Sequence, residues 1–100
     1  MDKQKLTICS LRRNGFKVRV FHIDPLIIPE QYQVSEKAIM LSKFATCIEV
    51  KDPLGNEHRG VSLCSMMDNW NRKLGNKIAL GRALKSIPQE LIDECFKTNP

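Results

Sequence analysis

Asn14-Gly15 sits between two apolar runs in residues 6–23, "LTICSLRRNGFKVRVFHI". Asn-Gly is the strongest short-range hairpin signal, because both central positions of a type I′ turn need φ > 0. A two-residue loop there sets Leu11 opposite Val18 and Cys9 opposite Val20 on one face. Ile8 then meets Phe21, and Leu6 meets Ile23, on the other. Apolar residues oppose each other on both faces, so the register is self-consistent. The reading is a hairpin that is apolar at its open end and basic at its tip, where Arg12, Arg13, Lys17 and Arg19 gather.

A second strand pair is expected over residues 44–65. "FATCIEVK" puts Phe44, Thr46, Ile48 and Val50 on one face. "DPLGN" is a turn, with Pro53 where its fixed φ fits and Gly55 where φ > 0 is needed. "EHRGVSLCS" then returns, with Val61 and Leu63 alternating with small residues. A loop at Pro53-Leu54-Gly55 sets Lys51 opposite Glu57 and Glu49 opposite Arg59, two opposite-charge pairs that favour this register. Between the hairpins, Pro25 and Pro29 break regular structure. Ser35 can cap a short helix in "EKAIMLSK", or the same residues can lead irregularly into the next strand; helix is the preferred reading.

Residues 68–85 read as a helix with Asp68 as N-cap. At 100° per residue, Trp70, Leu74, Ile78, Leu80, Gly81 and Leu84 fall within roughly 160° and form the expected core stripe. Lys77 falls in the same arc and has to snorkel. Gly81 within the stripe suggests close approach to a strand. The opposite face carries Asn71, Arg72, Gly75, Asn76, Ala79, Arg82 and Ala83. A shorter helix follows over about 87–96, with Ser86 and Gln89 as a capping box and Leu91, Ile92, Cys95 and Phe96 inward. "KTNP" is a frayed end. The expected fold class is α+β: an antiparallel sheet of two hairpins with helices on one side, as a single domain over 1–100.

Composition narrows function without choosing it. Sixteen basic against eleven acidic residues leave +5, a mild tilt toward anionic partners. No apolar run approaches the roughly 20 residues of a spanning helix, and "MDKQKLTICS" has no signal-like stretch. Cys9, Cys47, Cys64 and Cys95 form no CxxC pair, so reduced thiols in a cytoplasmic protein are expected. Zinc on Cys47, His58, Cys64 and one more ligand fits no familiar spacing. His22 lies on a predicted strand and His58 beside a turn, with no serine or cysteine motif next to either. The expectation is a non-enzymatic protein without metal or cofactor.

Arginine and asparagine are the side chains that reach base edges bidentately. Arg72, Asn76 and Arg82, with Lys73 and Lys85 on phosphates, are therefore the candidate nucleic-acid contacts, assisted by Arg12, Arg13 and Lys17. The bland alternatives are a solvated helix face, with Gly75, Ala79 and Ala83 under a neighbouring loop or helix, and a charged tip that keeps a strand end unpaired. The rival function is an inhibitor or adaptor that docks on a host or defence protein.

The run from Gly60 to Lys85, "GVSLCSMMDNWNRKLGNKIALGRALK", resembles a pattern in small proteins of bacteriophages and prophages. The matching residues are Cys64, Asp68, Trp70, Arg72, Gly75 and the stretch Ile78 to Leu84, about a quarter of the chain. That pattern often has a basic residue after the glycine, where this chain has Asn76. The resemblance implies a phage or prophage origin, a bacterial cytoplasm and action by binding, and it leaves the partner open.

Overall fold

A computed structural model describes residues 6–96. Helix α1 (Ile8–Arg13) leads into β1 (Lys17–Ile23). Two 3-10 turns, Pro25–Ile27 and Glu30–Tyr32, precede α2 (Glu36–Met40). Then come β2 (Ser42–Lys51), β3 (Glu57–Ser65), α3 (Arg72–Leu84) and α4 (Gln89–Phe96). The sheet is antiparallel in the order β1-β2-β3, so the fold class is α+β.

The first hairpin does not form. Residues 8–13 are helical, and β1 pairs with β2 instead, Val20 opposite Ile48 and Phe21 opposite Cys47. Thr7 and Ser10 explain the helix start: each side chain accepts the other's backbone N–H, a capping box. Asn14-Gly15 explains its end. Gly15 takes φ +92°, Phe16 N–H bonds Leu11 O at 3.0 Å, and Gly15 N–H bonds Arg12 O at 3.4 Å. These are the two bonds of a Schellman motif, and its apolar partners Leu11 and Phe16 are both buried. A positive-φ glycine serves a helix end as well as a type I′ turn, so the dipeptide alone did not choose.

The second strand pair keeps the expected register, with Glu49 opposite Arg59 and Lys51 opposite Glu57. Gly55 has φ +94°. Glu49 meets Arg19 at 3.4 Å and Arg59 at 3.9 Å, while Glu57 bonds Arg59 rather than Lys51. The turn is held by Asp52, which is buried and accepts N–H from Leu54 and Asn56, each at 2.9 Å. Its other oxygen takes His58 Nε2 at 2.8 Å. Burial by itself would raise the Asp52 pKa; the hydrogen bonds from His58, Asn56 and Leu54 outweigh that and lower it. Ser35 caps α2, as expected, but the helix ends at Met40, and Ser42 and Lys43 of the expected helix belong to β2.

Helix α3 begins at Arg72, capped by Asn71 rather than Asp68; Asp68 belongs to a turn and bonds Ser65 O. Its inward face is also not the expected one. Ala79, Leu80 and Ala83 are buried, whereas Leu74 is 53% exposed and Ile78 37%. The small-residue side lies on the sheet. A Cβ at Gly60 would overlap the Ala79 carbonyl oxygen and stand 2.5 Å from the Ala83 nitrogen. A Cβ at Gly75 would stand 2.8 Å from Thr46 Oγ1. Gly81, expected to approach a strand, has nothing within 4 Å of an added Cβ. With the helix rotated this way, Lys77 is exposed and has no need to snorkel.

On this side of the sheet, Leu11, Phe16, Val18, Ile48, Val50, Ala79, Leu80, Ala83, Ile87, Ile92 and Phe96 make one core. Ile92 and Phe96 come from the inner face of α4, as expected, with Leu91 and Cys95 packed beside them. Ser86 does not complete the expected capping box: its hydroxyl meets His58 Nδ1 at 2.7 Å, and Gln89 bonds Asp93. The expected frayed end at 97–100 lies outside the described residues. The reverse of the sheet is covered where Tyr32 meets Phe21 edge-on, at 6.3 Å. Burial first, then the charge of Glu49, pushes the Cys47 thiol up to about 11. No described helix is long and apolar enough to cross a membrane.

Gly60→Ala is expected to destabilise the fold by about 3 kcal/mol or more, since the obstructing atoms are backbone. Gly81→Ala, on the open side of the same helix, is expected to stabilise it by about 1 kcal/mol. Urea unfolding of both variants checks the pair. Because the folded Asp52 pKa is lowered, its contribution is present above its unfolded pKa and is lost as pH falls through the folded value. Asp52→Asn is therefore expected to cost about 1–3 kcal/mol at pH 7, with the difference shrinking below about pH 4. Unfolding free energies measured from pH 7 down to pH 3 test this.

Candidate functional site

The outward turn of Leu74 and Ile78 opens a groove. Its cavity volume is about 470 Å³, and it lies between the β2–β3 end of the sheet, the loop before α3 and the first two turns of α3. The floor is polar. Thr46 and Ser62 are paired across β2 and β3, both buried, and both line the cavity. Gly75 leaves Thr46 room beneath the helix. Phe44, Leu63, Trp70, Leu74 and Ile78 give the lining its apolar part.

Trp70 organises the wall. Its ring meets His22 edge-on and Phe44 at a tilt, both at 5.4 Å between centroids, and the Arg72 guanidinium carbon lies 5.5 Å from its ring centre. It thus packs against the sheet, although it precedes the helix whose core stripe it was expected to begin. His22 Nε2 is 2.9 Å from Asn76 Oδ1. An amide oxygen only accepts, so Nε2 carries the proton in this arrangement. That bond ties α3 to β1. Loop residues Asp68 and Asn69 also line the groove, and Met66 and Met67 on the same loop are 61% and 92% exposed.

The candidate nucleic-acid contacts are divided by the fold. Arg72 stacks on Trp70 and Asn76 bonds His22. Arg82 donates to Val61 O, and Arg12 donates to Val18 O, each at 2.7 Å. Asp52 N–H bonds Asn56 O, and the ladder alternates from there, so the Val61 and Val18 carbonyls point away from β2. Both arginines therefore occupy outward carbonyls on edge strands, where an added strand would pair. Lys73, Lys85, Arg13 and Lys17 are exposed. The Gly15 turn packs near Pro53, so Arg12, Arg13 and Lys17 lie at the Lys51 end of the sheet, and Arg72 and Lys73 lie at the Phe44 end. Seven residues of β2 separate these ends, about 23 Å at strand rise.

Sequence reasoning missed Phe44, Thr46, Ser62 and Leu74 as groove residues. The available signal was the spacing Gly75-Ala79-Ala83, a ridge of small residues four apart, matched by Gly60 and Ser62 on alternate positions of β3. Among the described residues, no three His, Cys, Asp or Glu side chains gather as a metal site, and all four cysteines are unpaired.

Asn76→Ala is expected to cost about 1 kcal/mol by removing the bond to His22, with the denaturant slope unchanged. A shift in the urea midpoint measures it. No protein-family model matches this chain, and no curated protein or solved structure does either.

Proposed function

We propose that this chain acts by binding, and that its working surface is the groove beside α3. The partner proposed is an acidic, apolar segment of another protein, such as a host protein met by a phage-encoded chain in a bacterial cytoplasm. One observation carries the reading. Leu74 and Ile78 are exposed beside Phe44 and Trp70 at an open cavity of about 470 Å³, although their helical period suits a core. Charge supports the sign of the partner: α3 carries Arg72, Lys73, Lys77 and Arg82 and no acid.

The same uncompensated charge favours a second reading, single-stranded nucleic acid. There the phosphates meet Arg72, Lys73 and Lys85, and a base stacks on Phe44. Asn76 and Arg82 would first have to leave His22 and Val61. The aliphatic rim favours the protein partner.

Trp70 is the single tryptophan and sits in the groove wall, so its fluorescence reports occupancy. Titration with an acidic peptide bearing leucine and phenylalanine is expected to shift the emission and saturate. Leu74→Asp with Ile78→Asp, at exposed positions that spare the core, is expected to weaken that binding at least tenfold. A response to oligothymidylate alone, falling linearly in log–log terms with salt and lost in Arg72→Ala, supports the nucleic-acid reading instead. No saturable response to either probe removes the groove as a binding surface.

A further inference from the structure

Away from the groove, at the other end of the sheet, two residues of the β2–β3 hairpin and one from the α3–α4 connection form a hydrogen-bonded line. Ser86 Oγ lies 2.7 Å from His58 Nδ1, and His58 Nε2 lies 2.8 Å from Asp52 Oδ2. Asp52 and His58 are buried, at 4% and 8% exposure, and Ser86 is exposed. From this geometry we infer that Ser86 is an activated nucleophile and a site of stoichiometric acylation by small activated esters or thioesters.

The chemistry follows from which atom holds each proton. Asp52 is fixed by the Leu54 and Asn56 N–H groups on Oδ1, so Oδ2 is left to face the ring. A carboxylate there keeps the ring proton on Nε2. When the ring is neutral, Nδ1 is then a lone pair aimed at the serine. Ser86 has one proton and two acceptors in reach, Nδ1 at 2.7 Å and Ala83 O at 3.2 Å. The shorter bond takes it. An exposed hydroxyl, a base within reach and a third group orienting the base are the parts of an activated serine, and those roles are recognised by geometry rather than sequence order.

In the reaction, the Ser86 oxygen bonds to the acyl carbon as its proton passes to His58 Nδ1. The acyl–oxygen or acyl–sulfur bond breaks, and its electron pair leaves with the alcohol or thiol fragment. His58 returns the proton to that fragment. The product is an ester on Ser86 and a neutral ring. The Cys95 thiol does not compete: burial first, then the charges of Asp52 and Glu94, raises its pKa and keeps it protonated.

A fluorophosphonate probe tests this on the full chain, with sites mapped by peptide mass spectrometry. The expected result is one probe per chain, on Ser86, at least tenfold faster than on any other serine, and lost when the protein is unfolded in guanidinium. His58→Gln is expected to abolish the preference while circular dichroism stays native. p-Nitrophenyl acetate is expected to release one equivalent of nitrophenolate and acetylate Ser86. The inference is overturned if folded wild-type protein is not labelled at Ser86, if its serines react alike, or if labelling survives unfolding. In each of those outcomes the three residues are only a staple between the β2–β3 turn and the α3–α4 connection. The wild-type chain decides the matter even if a variant misfolds.

Discussion

Helix α3 can lie where it does because Gly60 has no side chain. Its position under Ala79 and Ala83 lets helix backbone approach strand backbone, and no other residue fits there without displacing main-chain atoms. That contact sets the rotation of the helix about its axis. Gly75, Ala79 and Ala83 turn inward as a ridge of small residues, with Thr46 beneath the first of them. Leu80 still reaches the core, while Leu74 and Ile78, on the other side of that ridge, are carried outward. The groove is thus a consequence of the close packing of that ridge on the sheet, with Trp70 and Phe44 completing its wall.

The same rotation redistributes the basic side chains. A guanidinium on a free helix face is available to a polyanion, but Arg82 is within reach of the outer edge of β3 and takes the Val61 carbonyl. Arg12 does the same for β1 at Val18. A three-stranded sheet has two edges close to every residue, and occupying an outward carbonyl removes an acceptor that a further strand would use. The charge of these residues is legible from sequence; their engagement depends on which strand ends up at the edge.

Residues 8–15 show why local signals were not enough. Thr7 and Ser10 cap a helix start and Asn14-Gly15 ends one, yet the same letters give a self-consistent hairpin register. Both readings satisfy the backbone locally. The helix lets Leu11 and Phe16 join one core with Val18, Ile92 and Phe96, and it frees β1 to pair with β2. Asp52, His58 and Ser86 are likewise ordinary residues in sequence, a turn acid, a strand histidine and a serine between helices. They become one hydrogen-bonded line only because α3 returns along the sheet to the β2–β3 turn.

Sequence alone determined the α+β class, the β2–β3 register, the Ser35 cap and the inner face of α4. These rest on local turn chemistry, capping and residue period, which act within a few residues. Tertiary structure decided the partner of β1, the face α3 buries, and the residues that meet in the groove and around His58. Each of those choices depends on how closely two distant backbones can approach. Side-chain volume across the contact, here the missing Cβ of Gly60 against Ala79 and Ala83, sets that distance.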